Sequence, residues 1–214
     1  MNCGGIILCG GRSQRMGTDK ARLPFGPETM LQRMVRIVGE AVRPVVVVAA
    51  VTARLPDLPA DVRIVFDRKS DRGPLEGLAV GLATLANIPS TNDNYTTGSA
   101  AIPIAASFVT SCDAPLLRPE FVRRMIELLD DSEAAVPRDG GRLHPLVAVY
   151  RLTVLPKIER RLAADQLRLT ALVESLRLRV VGLDELRDVD PQLKSLENVN
   201  DPEAYRRAIL AAAQ

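Results

Sequence analysis

Four consecutive valines, Val45-Val46-Val47-Val48, follow Pro44 and leave the segment they form no polar side. A β-branched run of this kind fits a strand covered on both faces, as in a parallel sheet with helices above and below it. Comparable apolar runs recur at residues 4–9, 62–66 and 104–110, separated by segments with helical spacing. Leu31, Met34, Val35 and Val38 mark one helical face over residues 30–38, while Leu23-Pro24-Phe25-Gly26 reads as a turn. Ser70-Asp71-Arg72-Gly73-Pro74 turns into a second helix, whose small residues Gly77, Ala79 and Gly81 would let it lie close to the sheet. Residues 119–129 predict a helix opened by Pro119. Runs at 134–136 and 146–150 flank Asp139-Gly140-Gly141 and predict two more strands, at least one of them antiparallel. Residues 151–164 carry a basic helical face, 178–181 a short late strand, and Asp201-Pro202 the cap and first turn of a last helix reaching Gln214. The pattern predicts an α/β chain with one domain over residues 1–214. Its open, mostly parallel sheet should bind ligands beyond the carboxyl ends of the strands.

Composition narrows the partners. A formal net charge of +2, with three tyrosines and four phenylalanines, is too little for an electrostatic and stacking footprint on nucleic acid. No apolar run reaches bilayer length, and the first residues enter a strand without a basic-then-apolar leader, so no membrane partner and a cytoplasmic location are expected. Cys3, Cys9 and Cys112 form an odd set without metal-ligand spacing, which suits a reducing compartment. Each reads as a small apolar residue, with Cys112, beside Asp113 at a strand end, also placed where a thiolate would meet cations. Residues 87–103 are polar, turn-rich and without period, and read as a mobile loop or insertion.

The first strand ends in Gly10-Gly11, where side chains do not keep backbone amides from a ligand, and Arg12, Arg15 and Lys20 follow within ten residues. Amides and cations on one loop suit a polyphosphate. The Walker loop does not fit, because five residues separate Gly11 from Gly17 and Lys20 lies three beyond; the G-x-G-x-x-G dinucleotide fingerprint is missing too. Asp67 and Asp113 each follow a predicted strand of their own, so the sheet should bring both to the edge that carries the loop. Two carboxylates beside a cationic phosphate loop fit a magnesium ion shared with a triphosphate, with Asp113 the leading metal ligand. The alternative for Asp113 is a turn residue before Ala114-Pro115.

The stretch L-C-G-G-R-S-Q-R-M-G-T-D-K closely resembles the signature loop of nucleotidyltransferases, and its R-M-G-x-D-K is most similar to that of the molybdenum cofactor guanylyltransferases. D-R-K-S-D-R-G-P-L-E-G, S-C-D-A-P-L-L, H-P-L-V-A-V-Y and N-V-N-D-P-E recur in the order that family shows, so the resemblance spans most of the chain. It implies a three-layer, Rossmann-like nucleotidyltransferase fold with a mostly parallel central sheet. It also implies transfer of GMP from GTP to the terminal phosphate of molybdenum-bearing molybdopterin, with transient contact to molybdenum cofactor biosynthesis or acceptor proteins. Leu8, Cys9, Gly10, Gly11 and Lys20 would hold the nucleotide, with Asp67 contacting it and Asp113 binding magnesium. Gly73, Pro74, Leu75 and Gly77 would border base and ribose; Lys20, Arg12, Arg15 and Asp113 would carry the catalysis.

On the pterin side the resemblance implies Asn198 and Asn200, which also stand where asparagines satisfy helix amides. His144, the single histidine, reads as shaping the acceptor pocket or ending a strand rather than as a general base. A phosphate monoester has a second pKa of ~6 and needs no deprotonation before attack. Where such enzymes carry an asparagine after the second strand, this chain has Ala49-Ala50-Val51-Thr52, which leaves the guanine preference less constrained than the reaction class. Two alternatives stay open: a related enzyme using another nucleotide or acceptor, such as a molybdopterin cytidylyltransferase or a sugar-phosphate nucleotidyltransferase, and a non-catalytic module that carries or delivers the finished cofactor.

Overall fold

The computed structural model describes residues 1–10, 20–88 and 103–212. The chain begins with β1 (Cys3–Cys9), the two-residue strands β2 (Pro24–Phe25) and β3 (Glu28–Thr29), α1 (Met30–Ala41), β4 (Val45–Ala49), β5 (Arg63–Phe66) and α2 (Gly73–Ala86). It continues through β6 (Ala106–Ser111), α3 (Pro119–Glu127), β7 (Ala134–Asp139), β8 (Arg142–Leu143) and β9 (Val147–Arg151). The last elements are α4 (Leu155–Ala163), α5 (Leu169–Glu174), β10 (Leu178–Gly182) and α6 (Pro202–Ala212).

The central sheet runs β10-β7-β9-β6-β1-β4-β5, with β8 attached to β7. β1 pairs in parallel with β4 and β6, β4 with β5, and β7 with β10, whereas β9 runs antiparallel to β6 and β7. The valine run explains the layers. Val45, Val47 and Ala49 pack into one core with α1 and α3, and Val46 and Val48 into a second with α2, α4 and α5. Each face of β4 thus removes its own set of side chains from water, at about 1.5–3 kcal/mol per fully buried valine-sized or larger side chain. α1 starts on a capping box, with Thr29 accepting from the Gln32 amide and Gln32 from the Thr29 amide, worth about 1 kcal/mol.

Close approach of α2 to the sheet depends on missing side chains. A Cβ at Gly81 would lie 2.8 Å from two Ile6 side-chain carbons, and one at Gly77 would lie 3.1 Å from Leu8 Cδ2. Gly73 is different: nothing crowds it, but its φ of +67° is a conformation that L side chains rarely adopt. This turn delivers α2 to the sheet just after β5.

Several local expectations change. The turn at 23–26 is part of a hairpin in which Pro24 pairs with Thr29 and Phe25 with Glu28. The basic helix expected from residue 151 begins at Leu155 after a 3-10 turn, since Pro156 lacks the amide an interior position needs and fits the first turn. The helix predicted to residue 129 ends at Glu127, and α5 lies where no helix was expected. Residues 89–102, most of the anticipated loop or insertion, and residues 213–214 lie outside the described residues. No helix among the described residues is long and apolar enough to cross a membrane.

Candidate active site

Because β1, β5 and β6 all point the same way, Gly10, Asp67 and Asp113 leave the sheet along one edge. β9 enters from that edge, with Val147 opposite Thr110, which brings His144 to the same side. At its centre the Lys20 ammonium donates to Asp113 Oδ2 at 3.1 Å and to Asn200 Oδ1 at 3.0 Å. The carboxylate's other oxygen, Oδ1, accepts from the Ser111 hydroxyl at 2.5 Å. Residues 20, 113 and 200 come from three distant segments, held together by the backbone: the Val199 amide donates to the Asp113 carbonyl at 2.7 Å. Val199 and α6 in turn pack against Phe25 and Met30, just beyond Lys20, and Asp201 Oδ1 caps α6 through the Glu203 and Ala204 amides. The final helix therefore anchors Asn200 in the site. Asn198 is exposed and makes no hydrogen bond to this cluster among the described residues.

Asp67 forms the second part of the edge. Its amide donates to the Ala49 carbonyl at 3.0 Å, and its carboxylate lies 3.8 Å from where a Gly10 Cβ would be and 3.5 Å from a Gly77 Cβ. The two glycines leave open the space into which that carboxylate looks. Burial pushes the Asp67 carboxyl above its ordinary 3.8, and the neighbouring Glu76 carboxylate adds to the push. Glu76 itself is 3% exposed, with Arg68 Nε at 2.9 Å and Arg72 Nε at 3.9 Å. Arg68 continues to Glu159 on α4 at 3.1 Å, and Arg72 donates to the Leu162 carbonyl near the end of that helix. These bonds fasten the connection from Asp67 to α2 onto the layer beneath it. Arg72 supplies no side-chain cap to α2, whose first turn lies near Asp67, and a helix N-terminus is suited to an anion.

The sign of the Asp67 shift sets a prediction. A carboxyl whose folded value is raised takes up its proton at higher pH in the folded chain than in the unfolded one, so ionised Asp67 disfavours the fold at neutral pH. Asp67→Asn should raise the melting temperature at pH 7 and weaken nucleotide binding. The stability gap between variant and wild type should close as pH falls through the raised value toward 3.8. A pH series of melting curves measures this; a variant less stable than wild type at pH 7 would contradict it.

The remaining sequence candidates divide by burial. Leu8, Cys9 and Leu75 are buried in the two cores, so their side chains are unavailable and only their backbone can meet a ligand. Cys112 likewise packs into the α1 and α3 core rather than facing the cations. Pro74 follows Gly73 in the first turn of α2. Gly11, Arg12 and Arg15 lie outside the described residues. His144 has a buried Nε2 without a hydrogen-bond partner among the described residues. Burial first, and then Arg142, hold its pKa below the ordinary 6.5 against an opposing pull from Asp139, which keeps the ring neutral at pH 7. Two residues escaped the sequence reading. Ser111 precedes Cys112-Asp113 and looked like part of the turn; Glu76 was visible as the lone charge in Leu75-Glu76-Gly77-Leu78-Ala79-Val80, a run otherwise fit for burial.

A cationic amine beside a carboxylate at the carboxyl edge of a parallel sheet, with a glycine-walled carboxylate next to it, is equipped to hold and polarise phosphates. Comparison with known proteins agrees. The family model described as MobA-like NTP transferase domain matches residues 5–180. The chain belongs to the MobA-like NTP transferase family. Its relatives in that family include a protein named probable molybdenum cofactor guanylyltransferase from Pelotomaculum thermopropionicum, 31% identical over 97% of this chain and 92% of the relative. Another of the same name, from Mycobacterium tuberculosis, is 35% identical over 92% of this chain and 88% of the relative. This MobA-like chain is thus a nucleotidyltransferase. Among solved structures, the molybdopterin-guanine dinucleotide biosynthesis protein A from Archaeoglobus fulgidus superposes with a TM-score of 0.77 at 17% identity, over 98% of both chains. The 2-C-methyl-D-erythritol 4-phosphate cytidylyltransferase from Thermus thermophilus does so with a TM-score of 0.67 at 16% identity over the whole of both. Both establish the expected mostly parallel, three-layer nucleotidyltransferase fold.

Proposed function

We propose that this MobA-like transferase moves GMP from GTP to the terminal phosphate of molybdenum-bearing molybdopterin. The observation that supports it most is Lys20, hydrogen-bonded to both Asp113 and Asn200 at the strand ends. One amine there spans the carboxylate implied for the nucleotide's metal and the asparagine implied for the pterin. An acceptor phosphate oxygen attacks the α-phosphorus of GTP, a phosphoanhydride forms, and the bond to the β-phosphate breaks to release pyrophosphate. The acceptor is already anionic near neutral pH, so no protein base is required, and neutral His144 contributes shape to the acceptor side. Lys20 offsets charge on the α-phosphate and on the departing pyrophosphate, and Arg12 and Arg15 add cations from the signature loop. Asp67 and the amides at Gly10 and the start of α2 orient the nucleoside half, with Gly73, Pro74, Leu75 and Gly77 bordering base and ribose.

No group of three or more His, Cys, Asp or Glu side chains able to cage a metal occurs among the described residues. Asp113 nonetheless fits magnesium, which takes a few carboxylates and completes its shell with phosphate oxygens and water. Bound there it would neutralise charge on the triphosphate; Ser111 would keep Asp113 oriented while Lys20, held by Asp113 and Asn200, offers its third proton to phosphate. The test is incubation with magnesium, molybdenum-loaded molybdopterin and GTP, CTP, ATP or UTP in turn, with pyrophosphate measured. GTP should give the fastest release, and release dependent on the pterin. CTP is the second nucleotide to test, because Ala49 and Ala50, leading into the turn where the Ala53 amide donates to the Ala50 carbonyl at 2.9 Å, stand where the family's asparagine would.

A further inference from the structure

β5 ends the sheet on its side, with no strand beyond it among the described residues. It is an unusual edge. Ile64 and Phe66 are 42% and 47% exposed, on the one face they share by alternation. Exposed edge strands normally discourage pairing with charge, proline or cover, because their unpaired amides and carbonyls are a template for another strand. Here the outward-facing positions are apolar.

The main chain fixes which groups are free. The Asp67 amide bonds to the Ala49 carbonyl on β4, so by alternation residues 63, 65 and 67 turn their amides and carbonyls inward. Ile64 and Phe66 turn theirs outward. A second strand can use all four outward groups when it runs antiparallel and sets Ile64 against Phe66 and Phe66 against Ile64, which centres the pair on Val65. The same register matches charge. Arg63, the first residue of β5, falls opposite Asp67, which directly follows the last, so the strand with its flanking carboxylate is complementary to itself about Val65.

We infer that the protein forms a two-fold dimer in which β5 pairs antiparallel with β5 of a second copy, Val65 against Val65, joining two sheets into one. An isologous contact requires each patch to complement itself, and this segment does so in backbone bonding, in apolar side chains and in charge. The dimer sets the partner's Arg63 opposite Asp67, at the nucleotide edge of the site. The inference stands apart from the reaction proposed above and is tested without it.

Sedimentation equilibrium of the full chain over a concentration series should give twice the 23.2 kDa chain mass. Ile64→Lys and Phe66→Lys, both at exposed positions, should each raise the dimer dissociation constant at least about tenfold, a loss of 1.4 kcal/mol, with circular dichroism unchanged. Oxidised Val65→Cys should cross-link copy to copy, since a non-hydrogen-bonded antiparallel pair holds its Cα atoms about 4.5 Å apart, within disulfide reach. Ile64→Cys, which faces the partner's Phe66, should cross-link far less, and Cys3, Cys9 and Cys112 are buried and give little background. A wild-type protein at the single-chain mass at every concentration overturns the inference. So does a dimer untouched by both lysines, or one in which Val65→Cys cross-links no better than Ile64→Cys.

Discussion

Replacing Lys20 with alanine lowers the rate of pyrophosphate release from GTP by about 10²–10³-fold, the loss expected when one preorganised donor aimed at developing phosphate charge is removed. The effect belongs in kcat more than in the pterin KM, because Lys20 gains partners on the phosphates as charge builds there. In the structure it is 16% exposed and already bonded to Asp113 and Asn200, so its geometry is set before substrate arrives. Steady-state kinetics with GTP and pterin varied separately read the difference. A change confined to the pterin KM would move Lys20 from the transferring phosphate to the acceptor.

Asp113→Ala reduces turnover to background and leaves the fold intact. The backbone at 113 keeps its bond from the Val199 amide, so the variant loses a carboxylate without releasing the 198–200 segment. What disappears is the partner that orients Lys20 and the group best placed to hold magnesium. Since both residues act on the same phosphates, their effects should not add: the double variant Lys20→Ala with Asp113→Ala should be hardly slower than Asp113→Ala alone. Circular dichroism and activity at saturating magnesium check this, and full activity of Asp113→Ala refutes the metal assignment.

How far the sequence reached depended on the range of the physics at each place. The four valines of β4 could be read because burial on two faces leaves no polar position in the run. At least one antiparallel strand could be expected here because Asp139-Gly140-Gly141 makes a tight reversal, which in the structure joins β7 to β8 ahead of β9. Two-residue strands such as β2 and β3 have no period to detect, and α5 spans six residues, under two turns. The exposure of Ile64 and Phe66 was not legible either, since an apolar strand looks the same at the edge of a sheet as in its middle until its neighbours are known.

At the site, the sheet rule placed Gly10, Asp67 and Asp113 on one edge from strand order alone. It could not show that Asn200 would meet Lys20 across 180 residues, because that contact depends on α6 docking against Phe25 and Met30. Motif matching marked Leu8, Cys9 and Leu75 without separating backbone from side chain, and the structure buries all three side chains. It passed over Glu76, whose charge is hidden within an apolar helix and bears on Asp67 through space.

The claim on which the rest depends is that the nucleotide's α-phosphate ends up on the pterin. GTP labelled at the α-phosphate, incubated with magnesium and molybdenum-loaded molybdopterin, follows that atom directly. Label is expected in a pterin dinucleotide, with unlabelled pyrophosphate in equal amount, and both form about 10²–10³-fold more slowly in Lys20→Ala. Label that stays in GTP, or appears as free GMP whether or not the pterin is present, would contradict it.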